Sequence, residues 1–187
     1  MKSLFSLALV LFLSACTTSP QPSNNFAIGI VSSGDYQFIS SNAKTYAWHP
    51  RSGQTFVDDQ NDGVTIKHVF NDAISQSLAE KGYIRVPLQQ QPDFLVGYGV
   101  ALESALNDRE LFDKIKLSTG IPAADFANSE QKGSIVIAMY SYPLMELKWH
   151  ALAQGGANAT PQPASEESKL KIKSYVDSML RDLPKTQ

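Results

Sequence analysis

Apolar positions along the chain fall into two periods. From Val64 to Lys81, the residues Ile66, Phe70, Ala73, Ile74, Ser77 and Leu78 recur at helical spacing and predict one buried stripe. Asp62 is placed to cap this helix and Gly82 to stop it. From Phe94 to Leu102 the period is two. Phe94, Val96, Tyr98, Val100 and Leu102 share one face, and Gly97, Gly99 and Ala101 share the other. That small-residue face is expected to let a helix pack close to the sheet. Shorter strand-like runs are Phe26 to Val31, Thr45 to Trp48 (stopped at His49-Pro50) and Tyr83 to Val86. Ser134 to Tyr142 and Glu146 to Ala153 predict a hairpin around Pro143.

Ser165 caps a last helix, with Glu166 and Glu167 favourable in its first turn. Its stripe is Ile172, Tyr175, Val176, Met179, Leu180 and Leu183, and Pro184 ends it. Three stretches lack a clear period. Arg51 to Gly63 is polar and turn-rich, and Gly155 to Ala164 reads as a flexible loop. Glu103 to Gly133 reads as an insertion between strands, with a short amphipathic helix at Leu111, Phe112 and Ile115. The strand-helix-strands-helix order predicts an α+β fold. Its sheet is antiparallel, with about four to six strands and two main helices packed on one face.

The first sixteen residues follow neither period. Lys2 is followed by an apolar run, Leu4 to Leu13, broken only by Ser6. The run is far shorter than the ~20 residues a spanning helix needs, so it reads as a signal peptide. Leu13-Ser14-Ala15-Cys16 resembles the bacterial lipobox. That resemblance implies cleavage before Cys16, diacylglycerol on its thiol and acylation of the new amine. Cys16 is the only cysteine in the chain, so no internal disulfide competes for it. Acyl chains at ~0.8 kcal/mol per buried methylene would hold the protein on a bilayer. Thr17 follows the cysteine; absence of Asp there implies the outer membrane, by resemblance to lipoprotein sorting in enteric-type bacteria. The expected organisation is therefore 1–15 signal peptide, 16–25 lipidated tether and 26–187 a single α+β domain facing the periplasm. Thr17 to Asn25, with its two prolines, would span about 25 Å at most.

Composition narrows the functions. Of 187 residues, 43% are hydrophobic and 18% charged, enough apolar surface to bury a core. The formal net charge is −2 and no basic run occurs, which argues against nucleic acid as a partner.

Several short motifs follow one another in the mature region. Lys44-Thr45-Tyr46-Ala47-Trp48 comes first, then Ala79-Glu80-Lys81-Gly82-Tyr83 and Pro92-Asp93-Phe94-Leu95-Val96. Leu147-Lys148-Trp149 and Leu183-Pro184 come later. Together this ordered set, behind a lipobox, resembles the bacterial lipoproteins grouped as domain of unknown function 4136. The resemblance implies an envelope location and no established reaction, so it carries over no catalytic residues. The family's hairpin usually has an Asp and a Thr-Gly turn before the Trp; here Ser141, Leu144 and Met145 stand there, so the turn differs.

Candidate chemistry is sparse. Asp58-Asp59-Gln60-Asn61-Asp62-Gly63 resembles the start of a calcium loop, but Val69 stands where the bidentate acid belongs, and Asp62 reads better as a cap. His49, His68 and His150 show no metal-ligand spacing and read as surface or structural residues. No serine sits in a G-x-S-x-G elbow, and Ser32-Ser33-Gly34 reads as a turn. Gly97-Tyr98-Gly99 lies within a strand and lacks the third glycine of a dinucleotide loop. Lys132-Gly133-Ser134 has no phosphate loop before it, and Lys169, Lys171 and Lys173 read as solvated. Trp48, Trp149, Tyr46, Tyr98, Tyr140 and Tyr142 read as core or cross-strand pairs. No catalytic, cofactor or metal residue is assigned; Cys16 is the one site, a lipid attachment.

Three functions remain in order. The first is an outer-membrane lipoprotein that is no enzyme and whose domain binds a protein partner in the envelope. The second is a small-ligand or lipid-binding accessory domain, which needs an apolar cleft under Glu103 to Gly133 or between the helices. The third is a hydrolase whose nucleophile and base converge only in space.

Overall fold

The computed structural model describes residues 29–58, 62–126, 130–158 and 165–186. The signal peptide, Cys16 and the tether lie outside them, as do Asp59, Gln60 and Asn61 of the calcium-like stretch. In chain order the elements are β1 (Gly29–Gly34), β2 (Thr45–Trp48), β3 (Gln54–Phe56), α1 (Gly63–Glu80) and β4 (Ile84–Arg85). Then follow β5 (Phe94–Leu102), α2 (Asp108–Ile115), β6 (Glu130–Ser141), β7 (Leu147–Asn158) and α3 (Glu166–Met179).

The expected antiparallel sheet with two helices is corrected on three counts. First, the sheet has seven strands, in the order β1-β7-β6-β5-β2-β4, with β3 also paired to β5. Second, it is mixed: β2 and β3 run parallel to β5, and β2 parallel to β4, while β5, β6, β7 and β1 pair antiparallel. The cause is α1. A helix between two strands of one sheet carries the chain back to its starting end, so the returning strand runs parallel. Third, a further helix, α2, covers the other face. Leu106 and Leu111 pack with Ala101 and Leu152 there. Phe70, Ile74, Leu78, Val176 and Leu180 of the α1 and α3 region pack on Phe94, Val96, Ile137 and Ala151 of the first face.

Several boundaries move as well. β3 lies inside the stretch read as turns, because three residues are too short to show alternation. β6 begins at Glu130 and β7 runs on to Asn158, so Gly155 to Asn158 are strand rather than loop. Gly133 and Gly155 face each other across the ladder, and two small residues in register need no side-chain pattern to pair. α1 forms where predicted; α3 starts where predicted but ends at Met179, so Leu180 and Leu183 of its expected stripe lie beyond the helix. Asp62 accepts from the Val64 and Thr65 amides at 2.9 and 3.2 Å, and Ser165 accepts from Ser168 N at 3.1 Å.

The motif residues prove to be clasps between distant parts of the chain. The Asp93 carboxylate accepts from Lys44 N at 2.9 Å, Thr45 N at 2.8 Å and the Thr45 hydroxyl at 2.7 Å. Lys81 donates through Nζ to Leu183 O at 2.8 Å, and Tyr83 OH donates to Pro184 O at 2.9 Å. Trp149 is buried against Tyr36, ring centroids 4.9 Å apart. Lys173, read as solvated, instead joins the two long helices: its Nζ donates to Glu80 at 2.8 Å and to Asp177 at 2.7 Å. Burial alone would lower its pKa, but the two carboxylates outweigh burial and raise it.

Candidate functional site

The face covered by α2 is not covered along its whole length. β5 presents Gly97, Gly99 and Ala101 to it, and β6 presents Ser134, Val136, Ala138 and Tyr140. These short side chains form the floor of a cleft of about 390 Å³. Leu106 and Leu111 seat the α2 region at the Ala101 end, and Lys114 and Ile115 also line the cleft. Phe56 of β3 supplies a wall, with the Lys114 ammonium 5.9 Å from its ring centroid. The small-residue face does admit a helix, as expected, but at one end only.

The loop between β2 and β3 closes the other end. His49 N donates to Val96 O at 2.8 Å and Gly53 N to Tyr98 O at 2.9 Å, so the loop stays laced to β5. His49 is buried and stacks on Tyr140, ring centroids 4.4 Å apart. Its Nδ1 accepts from Arg51 N at 3.2 Å, which leaves Nε2 as the proton carrier of the neutral ring. Burial first, and the Arg51 charge second, push the His49 pKa down. Burial pushes the Tyr140 phenol up, with Arg51 pulling against it. Arg51 and Lys114 are exposed at the rim, and no Asp or Glu lines the cleft.

Beside it lies a polar cluster in which Lys132, Ser134 and Gln154 are buried and Asp108 and Thr119 partly exposed. The Lys132 side chain is 1% exposed and donates to Asp108 at 2.5 Å and to Ile121 O. Gln154 donates to the other Asp108 oxygen and to Ser134 Oγ, both at 2.9 Å, and accepts from Thr119. Every polar atom of this set has a partner, so it pins the connection around α2 onto β6 and β7. Desolvation, then the Asp108 charge, raise the neighbouring Glu103 pKa.

The other residues singled out from sequence do not converge. His150 Nε2 donates to Ile115 O at 3.0 Å, and His68 is exposed on α1. Among the described residues, no histidine hydrogen-bonds a serine hydroxyl or a carboxylate, and no group of three or more His, Cys, Asp or Glu could hold a metal. Tyr46 and Trp48 sit edge to face, as do Trp48 and Tyr98, within the core expected of them. Arg51, Lys114 and Phe56 were not singled out. Their only sequence signal is the glycine alternation of β5, which marks the floor but not what stands around it.

Two other surfaces bear on function. A groove of about 960 Å³ opens between α1, α3 and the sheet, over Phe70, Ile135 and Ile172. Its lining includes Asp62 and Asn158, next to 59–61 and 159–164, which lie outside the described residues. At the β6–β7 turn, Leu144 is 73% and Leu147 50% exposed, with Met145 beside them. This apolar tip lies at the end of the sheet opposite the chain's entry. Gly29 is registered with Gln154, seven residues along β7 from Leu147, or about 24 Å.

Comparison with known proteins gives a family and a fold. Residues 30–185 match the family described as Domain of unknown function (DUF4136). No curated protein matches the chain. Among solved structures, the PelC dodecamer from Paraburkholderia phytofirmans is 10% identical, covering 86% of this chain and 99% of that one at a TM-score of 0.52. A point variant of the same PelC gives 9% identity with the same coverage and TM-score. A DUF4136 family protein from Bacteroides thetaiotaomicron is 10% identical over 82% of this chain and 94% of its own, at a TM-score of 0.47.

Proposed function

This chain belongs to the domain of unknown function family DUF4136, and from that premise we propose an outer-membrane lipoprotein, anchored through acylated Cys16, whose periplasmic domain is non-catalytic and docks on protein. The first candidate partner is a second copy of the chain. The observation that carries this reading is the bare apolar tip at Leu144, Met145 and Leu147. Burying Leu144 and Leu147 would contribute about 3 kcal/mol to association, a reason for such residues to stand on a hairpin otherwise free to carry polar ones. Two further facts support it. A tether before residue 29 would attach at the far end of the sheet, which leaves the tip directed away from the bilayer. The fold is shared with a protein that forms a dodecamer, and one patch docking on a different surface of a second copy is a route to larger assemblies.

The test is the mass of the detergent-solubilised full chain by light scattering. The expected result is an oligomer that Leu144→Asp with Leu147→Asp converts to monomer at an unchanged unfolding midpoint. A parent chain that stays monomeric at tens of micromolar, or an oligomer indifferent to both substitutions, would sink the proposal.

The second reading, a small-ligand or lipid-binding accessory lipoprotein, is favoured by one observation, the cleft under α2. The third, a dispersed hydrolase, has no observation in its favour: no histidine meets a serine or carboxylate among the described residues.

A further inference from the structure

We infer that the cleft under α2 binds a small amphipathic anion, its apolar body lying over Gly99 and its anionic group held at the rim by Arg51 and Lys114. Three observations converge on this.

The first is an unfilled position on a strand. A Cβ at residue 99 would meet only Gln54 O, at 3.6 Å, an ordinary contact, and Gly99 has no left-handed φ that would exclude a side chain. Gly97 differs: a Cβ there would meet Tyr140 at 3.2 Å, so packing already closes that position. A glycine in a strand interior costs stability and packs nothing. At 97 the cost has a structural return; at 99 the return is open space. The second is charge. Arg51 and Lys114 face this space without a carboxylate in its lining, and neither forms an ion pair among the described residues. A guanidinium and an ammonium over an apolar floor fit a carboxylate or a related anion, which pairs with Arg in two parallel hydrogen bonds. The third is size. At about 390 Å³ the cleft stands at the small end of the range for small-molecule sites, with Phe56, Leu111 and Ile115 as apolar walls and His49, Gln54 and Ser134 as further polar groups to orient the guest.

This inference does not rest on the docking proposal, since none of these residues belongs to the Leu144–Leu147 tip. It is tested by calorimetric titration of the full chain in lipid nanodiscs, with empty nanodiscs subtracted. The probes are naphthoate and its uncharged counterpart naphthamide. Naphthoate is expected to saturate one site per chain and to bind about tenfold more tightly than naphthamide. Arg51→Gln, on an exposed loop, should weaken naphthoate by about fivefold and leave naphthamide unchanged. Gly99→Val places a strand-favouring side chain in the floor and should abolish both while keeping the unfolding midpoint. Equal affinity for the two probes removes the anion site. Naphthoate binding that survives Gly99→Val moves it elsewhere, and no saturable binding of either probe ends the proposal.

Discussion

At the residue scale, the motif side chains hold the chain together rather than act on a ligand. Asp93 is the clearest case. Its burial would raise the carboxyl pKa, but hydrogen bonds from the Thr45 hydroxyl and the Lys44 and Thr45 amides outweigh that and lower it. A carboxyl held below its unfolded value contributes stability above that value and loses it as pH falls through the folded one. Asp93 is exposed, so solvent screening trims the charge contribution; Asp93→Asn should cost at most about 1 kcal/mol at neutral pH, and the deficit should shrink as pH drops below about 4. Urea midpoints measured across that range check it; a deficit that stays constant would assign the loss to shape instead of charge. Lys132 makes the opposite case. Nothing around Lys132-Gly133-Ser134 in the sequence announces a buried ammonium, since Asp108 and Ile121 reach it only through folding. The Asp108 side chain is 44% exposed, so water shares in balancing the charge; Asp108→Ala should cost about 1–3 kcal/mol, and adding Lys132→Met should recover part of it. Denaturant unfolding of the single and double variants distinguishes the two.

At the element scale, periodicity was informative where an element is long and half-buried. The stripes of α1 and the first part of α3 stand where their residues predict, because one wet face leaves a polar record in the sequence; β5 is buried on both faces, and its alternation is one of large against small residues. β3 and the ends of β6 and β7 left no such record, being short or built of small residues in register. α2 shows a third situation. Of its expected apolar residues, Leu111 and Ile115 pack inward while Phe112 is exposed, and its cap carries as much weight. Asn107 accepts from the Arg109 and Glu110 amides, both at 3.1 Å, and Glu110 accepts from Asn107 N at 3.2 Å. Asn107→Ala should cost about 1 kcal/mol. The loss should appear as faster hydrogen exchange in residues 108–115, with β5 and β6 unaffected. Slower exchange throughout, or equal change in the strands, would show that α2 does not open on its own.

At the scale of the whole molecule, the parallel strands follow from connectivity, and connectivity sets what the two faces can do. α1 and α3 cover one face over a continuous core and leave a groove between them and the sheet, while α2 reaches only part of the other face and leaves the cleft over Gly99. The proposed anchor belongs to this scale too. Cys16→Ala should move the protein from the membrane pellet to the soluble fraction, and the mass of the parent's N-terminal peptide should carry the acyl chains; a pelleted alanine variant would count against lipid anchoring. What the residues determined by themselves was local: two helices, their caps, the main strand, and an ordered motif set strong enough to name the family. Those depend on neighbours along the chain. Strand direction, the place of α2, the burial of Lys132 and the gathering of Arg51, Lys114 and Gly99 around one cleft were decided only by the tertiary structure. The physical reason is that each joins residues far apart in sequence, and periodicity holds no record of which distant side chain fills, or leaves empty, the space above a glycine.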